Sequence, residues 1–302
     1  MTVSLQGKSA IVTGAAVGIG TAYAEALAAQ GVNVAVCDIR NEIMGLPDIL
    51  KANGASGIEA CAWVADVSQP TDVRMVVDGA VDALGGVDIL INNAGKCWVS
   101  LADDDLDKTM ADYDGMIGTN LKGEYLMGRA VIAQLIKQGR GGDIVNIATD
   151  HMVTCGSPNE LCPKLDTCPW ADTPRPTGGG EVMDLYDASK WGLNGLLFAW
   201  AKALQPHNIR VNAMCMGATD SWMIRDFFGF PQSRAEENDE QRAEVATWMS
   251  KEDSAAVVID LLKEGPDGRT ARNMNLCLGR APVLEAPLPN IYITEDSLNV
   301  TT

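Results

Sequence analysis

No stretch of this chain stays apolar over the roughly 18 residues that a membrane-spanning helix needs. The opening MTVSLQGKSAIVTGAA also lacks a basic run followed by a long apolar one, the mark of a secretory leader. These absences predict a soluble, cytoplasmic protein. Positive charge is scarce too: 23 Lys and Arg stand against 40 Asp and Glu, a formal charge of −17. Nucleic acid and anionic membranes would repel such a surface, so the partners expected are a small molecule and further copies of the chain. Histidine occurs only twice, as His151 and His207. The eight cysteines are scattered and show neither a disulfide framework nor the short C-x₂₋₄-C knuckle of a structural zinc site, so no metal is expected. Cys37, Cys61, Cys215 and Cys277 fall in apolar runs, where a reduced, buried thiol is the ordinary explanation.

What the chain does have is alternation. Short runs almost continuous in Val, Ile, Leu and Ala (SAIVTGAA, VNVAVCDI, IEACAWVADV, VDILINNAG, DIVNIAT, IRVNAMCMG, NMNLCLG) are separated by helical patterns at 18–30, 43–52, 70–84, 104–139 and 187–204. Strands that read as unbroken apolar runs are covered on both faces, and strand–helix alternation builds a parallel sheet. The expected fold is an α/β doubly wound parallel sheet of Rossmann type, a single domain over 1–302. Ser68 and Pro70 read as a helix start with Gly85 and Gly86 as its end, Ser250 and Asp253 as a capping box, and Asp103–Asp105 as a solvated helix start.

The first run ends in Thr13-Gly14-Ala15-Ala16-Val17-Gly18-Ile19-Gly20 and enters a helix directly. Gly14, Gly18 and Gly20 permit a tight turn, and Ile19 with the helix N-terminus offers free N–H groups to a pyrophosphate. The second strand ends at Asp38, where a carboxylate can accept from both ribose hydroxyls. A 2′-phosphate 4 Å away would be repelled by about 4 kcal/mol at an effective dielectric of 20, so the expected cofactor is NAD. Arg40 could soften that preference or be a solvated surface charge. Asp66 and Val67 would suit the adenine edge, although an Asp there is also a good turn residue.

Tyr186 and Lys190 are four residues apart, one helical turn, and share a face. Together with the glycine loop, NNAG at 92–95, GTNLKGEY at 118–125 and DIVNIAT at 143–149, this resembles the short-chain dehydrogenase/reductase family over most of residues 5–280. The resemblance implies hydride transfer between an alcohol or ketone and a nicotinamide. It makes Tyr186 the acid/base, whose phenol a nearby cation must favour as phenolate. It makes Lys190 that cation and the ligand of the nicotinamide ribose, Asn120 the residue that positions a water near the Lys, and Asn93, Ala94 and Gly95 the cofactor-lining turn. It also implies a homo-oligomer, tetramer or dimer, built on helices 104–139 and 187–204.

Two departures stand out. Thr149 occupies the place of the family's usual Ser; its hydroxyl can make the same bond, with Asp150 as an alternative bearer of the role. Met216-Gly217 replaces Pro-Gly: Gly217 still allows close approach, Thr219 or Ser221 could bond the carboxamide, and Met216 either lines the substrate pocket or is ordinary core. His151 and Trp191 are further substrate-side candidates, and Trp98, Trp170, Trp191 and Trp222 favour an apolar or ring-bearing substrate. The Pro-rich stretch PNELCPKLDTCPWADTPRPTGGG makes the passage from Thr149 to Tyr186 far longer than the family needs, which predicts a substrate-side lid over 151–183, with 281–302 as a C-terminal tail. An NADPH-linked reductase and a non-catalytic dinucleotide-sensing protein are the alternative readings.

Overall fold

A computed structural model of the chain describes residues 2–152, 181–276 and 283–285. In chain order the elements are β1 (Ser9–Thr13), α1 (Ile19–Ala29), β2 (Asn33–Asp38), α2 (Leu46–Asn53), β3 (Ala60–Val64), α3 (Pro70–Leu84), β4 (Ile89–Asn92), β5 (Ser100–Leu101), α4 (Leu106–Ile117), α5 (Glu124–Gln138) and β6 (Gly142–Thr149). They continue with β7 (Glu181–Val182), α6 (Asp184–Leu204), β8 (Ile209–Met216), α7 (Trp222–Phe227), α8 (Asp239–Val245), α9 (Lys251–Leu262), β9 (Arg272–Leu276) and β10 (Val283–Glu285). The main sheet runs β10-β9-β8-β6-β4-β1-β2-β3, parallel throughout except for the antiparallel edge strand β10. This is the doubly wound fold expected.

The apolar runs become strands because both faces are covered. On one face Met214 and Met216 of β8 pack with Tyr23 and Leu27 of α1 and Val258 and Leu262 of α9. On the other, Ala213 and Cys215 of the same strand meet Leu193 and Leu197 of α6, in a layer shared with Val131 of α5. Side chains alternate faces along a strand, so one strand serves both cores. The order reverses between β1 and β4, and at such a switch point the loops leaving the C-terminal ends of the two strands diverge and leave a crevice.

Several local expectations change. The 104–139 pattern is not one helix: a π-helical turn at Gly118–Gly123 joins α4 to α5. Ser68 does not cap α3, whose N-cap is Gln69; the Ser68 N–H instead donates to Asp66 Oδ1 at 2.8 Å. Ser250 Oγ does accept from Asp253 N–H at 3.0 Å, and Asp105 caps α4. Helix α6 starts before 187, at Asp184, which places Tyr186 in its first turn. Cys37 and Cys215 are buried and Cys61 is partly so, while Cys277 lies outside the described residues. Most of the predicted lid, residues 153–180 with Cys155, Cys162, Cys168 and Trp170, lies outside them too, as does all of the tail except 283–285.

Candidate active site

The cofactor end is built by stitching two loops together. The Thr13 hydroxyl accepts from the N–H groups of Asn93 and Ala94, each at 3.0 Å. Asn93 Nδ2 in turn donates to the carbonyls of Thr13 at 2.9 Å and Gly14 at 3.0 Å. Gly14 has φ +64°, and a Cβ there would lie 2.7 Å from Ala94 Cα, so only glycine lets the loops meet. Gly20 is equally constrained, since a Cβ would lie 2.3 Å from Gly14 O. Helix α1 has Gly18 as N-cap, among the described residues no side chain bonded to its free N–H groups, and no acidic residue in its first turn. Such an end is open to a phosphate. Ile19, the first helical residue, packs against the core.

Asp38 ends β2, buried, with Oδ2 accepting from Ala16 N–H and Oδ1 from Arg40 N–H, both at 3.0 Å. Arg40 is not simply solvated: its guanidinium stacks 4.0 Å from the centre of the Trp222 ring. At the adenine edge, Asp66 Oδ1 is engaged by Ser68 N–H, as a turn residue would be, and the Val67 side chain is buried against Gly123.

At the other end, Thr149 closes β6 with its side chain beside that of Tyr186. The Thr149 hydroxyl also lies 3.3 Å from Asp150 Oδ1. The structure therefore puts Thr149, the strand-end hydroxyl, directly at the phenol. Lys190, one turn along α6, is buried and donates to Ile147 O at 2.7 Å and Glu124 Oε1 at 3.2 Å. Gly95 lies over it: a Cβ there would be 3.7 Å from Lys190 Nζ and 3.5 Å from Asn120 Oδ1. The expectation that a cation lowers the Tyr186 phenol is not met in this state. Burial pushes it above its ordinary value, the acidic neighbours Asp150 and Asp187 add to that, and nearby Thr149 only opposes them.

Asn120 is held by the protein on several sides. Its Oδ1 accepts from Lys96 N–H at 2.8 Å, and its Nδ2 donates to Lys96 O at 2.8 Å and Ser189 Oγ at 3.1 Å. Both amide protons and one lone pair are spent on the protein, so the side chain joins the 93–97 turn to α6. Met216 is core: alternation along β8 sends it to the α1–α9 face, with Sδ 3.9 Å from Tyr23 Oη and 3.4 Å from Ser254 Oγ. Gly217 N–H is held by Leu276 O at 2.8 Å, and the Thr219 hydroxyl donates to Gly217 O at 2.9 Å. His151 does stand at the site, its ring edge-on to Tyr186 with centroids 6.0 Å apart and its Nδ1 2.7 Å from Asp187 Oδ1. Trp191 Nε1 donates to His151 O at 3.2 Å, and Trp191 is 42% exposed. Glu124, which touches Lys190, is a site residue the sequence reading passed over. It stood inside GTNLKGEY, four positions after Asn120 on the same helical face, but a Glu in a helix ordinarily reads as solvated.

A glycine turn feeding an uncapped helix at the switch point, beside a strand-end hydroxyl and a Tyr–Lys helix, defines a dinucleotide-dependent oxidoreductase. Residues 8–155 match the family model described as short chain dehydrogenase, and residues 177–279 that described as Enoyl-(Acyl carrier protein) reductase. A short-chain dehydrogenase/reductase of Armillaria gallica is 31% identical over 90% of this chain and 95% of its own. The 3beta-hydroxysteroid dehydrogenase 1 of Eggerthella lenta is 30% identical over 76% of this chain and 78% of its own. The crystal structure of a short-chain type dehydrogenase/reductase from Mycobacterium marinum has the same fold, with a TM-score of 0.71 and 24% identity over 91% of this chain and 95% of that one. The chain belongs to the short-chain dehydrogenase/reductase family, oxidoreductases that use a nicotinamide cofactor.

Proposed function

We propose that this protein is an NAD-dependent alcohol dehydrogenase or ketone reductase acting on a secondary hydroxyl, with Tyr186 as its acid/base. The observation that carries the reading is Thr149 beside Tyr186, one helical turn from buried Lys190, at the C-terminal edge of the sheet. The residues at the other end fit the cofactor: the uncapped α1 terminus suits a pyrophosphate, and Gly95 leaves room beside Lys190. The bound nicotinamide supplies hydride acceptance or donation. Thr149 and Tyr186 hold the substrate oxygen between their hydroxyls, and Tyr186 Oη takes the alcohol proton during oxidation or returns it during reduction. Thr219, next to Gly217, is the side chain we assign to the carboxamide, and Asn93, Ala94 and Gly95 to the wall of the cofactor groove.

For NAD over NADP the support is Asp38, buried with its carboxylate fixed at the end of β2, and Arg40, whose guanidinium is occupied by the Trp222 ring. A ring-bearing or apolar substrate is supported by exposed Trp191 beside His151 and by the activity that names the Eggerthella lenta relative. A homo-oligomer is supported by an apolar groove lined by Ile117, Leu121, Tyr125 and Leu196, between the helices that flank the site. Among the described residues no helix is long and apolar enough to cross a membrane. A cytoplasmic setting belongs to the same reading and rests on the unpaired thiols of Cys37, Cys61 and Cys97. The test is a panel of cyclic and acyclic secondary alcohols with NAD at alkaline pH, followed by NADH absorbance. Turnover of at least one class supports the reading, and none across the panel with NAD bound contradicts it.

A further inference from the structure

Lys190 has a partner that the reaction above does not employ. Its Nζ donates to Glu124 Oε1 at 3.2 Å, and the two side chains are only 5% and 1% exposed. Glu124 opens α5 directly after the π-helical turn, and its backbone carbonyl receives Asn92 Nδ2 at 3.1 Å, so its position is fixed by β4 as well as by its own helix. With Ile147 O and Glu124 Oε1 each taking one N–H of the ammonium, a single N–H remains for anything else at the site.

Two observations separate this pair from a merely structural one. Among the described residues Glu124 Oε2 has no hydrogen-bond partner, nor do Asn92 Oδ1 and Asn146 Nδ2 in the same buried cluster. A buried carboxylate oxygen left bare is costly, and a proton on it turns the unmet acceptor into a donor. Moreover, a buried ion pair generally adds little stability over apolar side chains of the same size, so packing alone gives no reason for a Glu here.

Among the described residues the charged group bonded to the Glu124 carboxyl is Lys190 from α6; the neutral Ile147 O of β6 shares that ammonium, and the neutral Asn92 of β4 bonds the Glu124 backbone carbonyl and Asn146 of β6. Beyond Lys190 lies Cys97, its thiol pushed up to about 11 by burial and therefore neutral in the working range. Beside Tyr186 stand Asp150 and Asp187, and His151 is held by Asp187. Burial pushes the Glu124 carboxyl up to about 7 against the pull of Lys190.

We propose that Glu124 is a positioning residue that sets how much positive charge Lys190 presents to Tyr186, cancelling the ammonium when ionised and releasing it when protonated. The proposal rests on the reading of Tyr186 as acid/base. As pH rises through the Glu124 titration its proton leaves to solvent and the net charge of the pair falls from +1 to 0. Tyr186 then loses cationic support in the range where it must ionise. Two groups coupled in this way titrate as a unit, and the acid limb of alcohol oxidation is spread over a wide pH range.

Glu124→Gln keeps the size and one acceptor for Lys190 while removing the negative charge. The acid limb of kcat/KM for alcohol oxidation should steepen and move to lower pH by about one unit, with KM for NAD within about threefold of wild type. A limb that stays put, or moves to higher pH, overturns the proposal. A second measurement does not depend on that variant: infrared titration of the wild-type protein carrying isotope-labelled glutamate should show one carboxyl still protonated where free glutamate is fully ionised. Complete ionisation of every glutamate there also overturns it. If Tyr186→Phe is inactive and the Glu124→Gln limb is unmoved, this proposal alone fails; if Tyr186→Phe keeps full turnover, the underlying reading fails.

Discussion

Thr149 at the end of β6 lies beside Tyr186 in the first turn of α6, although the whole Pro-rich stretch runs between them in the chain. Sheet and helix, not sequence proximity, bring the two hydroxyls together. Thr149→Ser keeps the hydroxyl and should retain activity within about tenfold, with a changed substrate ranking because a methyl is gone. Thr149→Ala removes one of the two groups on the substrate oxygen and should lower kcat by about a hundredfold. Steady-state kinetics of the two variants check this; equal activity of Ala and Ser would remove Thr149 from the chemistry.

Asp38 supports the choice of cofactor. With its carboxylate fixed by the N–H groups of Ala16 and Arg40, a 2′-phosphate must approach a charge that cannot swing away. Asp38→Ser should shift the ratio of kcat/KM for NAD over NADP by at least about tenfold toward NADP. Parallel kinetics with both cofactors give the result, and an unchanged ratio would place the discrimination elsewhere.

His151 and Asp187 form a dyad at the rim, and the bond from Asp187 raises the His151 pKa above its ordinary value. A His whose folded value is raised contributes stability that is fully present below its unfolded value of about 6.5 and is lost as pH rises through the folded value. Both side chains are partly exposed, so the contribution should be only about 0.5 kcal/mol. Asp187→Asn should therefore lower Tm more at about pH 5.5 than at about pH 8.5. Thermal melts at the two pH values decide it, and an equal loss at both would mean that the dyad does not titrate as described.

Most of the framework was legible in the sequence because its physical causes are local. Strands covered on both faces must be apolar throughout, which marked β1, β2, β4, β6 and β8. Gly14 and Gly20 were legible because backbone approaches within 3 Å of any added Cβ admit no other residue. The Tyr186–Lys190 pair was legible only in combination with the glycine loop, NNAG and GTNLKGEY, through the family resemblance that these motifs carry together. What failed depended on burial and partners, which a linear pattern does not carry. Glu124 drew no reading, Met216 stood between pocket wall and ordinary core, and Arg40 between softening the NAD preference and facing solvent; Trp222 is distant in sequence and supplied the answer for Arg40. The bonds from Asn120 to Lys96 and Ser189, made where the π-helical turn brings it under the 93–97 turn, were not legible either, because nothing in GTNLKGEY announces a π turn.

The central claim is that Tyr186 exchanges the proton with the substrate oxygen. Its phenol is pushed upward by burial, so oxidation should accelerate as pH rises through the acid limb. The decisive measurement is turnover of Tyr186→Phe with NAD and the best alcohol of the panel, read at the absorbance of NADH, alongside NAD binding by the same protein. The account predicts a fall of about a thousandfold or more in kcat with NAD affinity preserved, as expected when the proton-transferring group is removed from an intact cofactor site. Turnover near the wild-type level in that variant would contradict it.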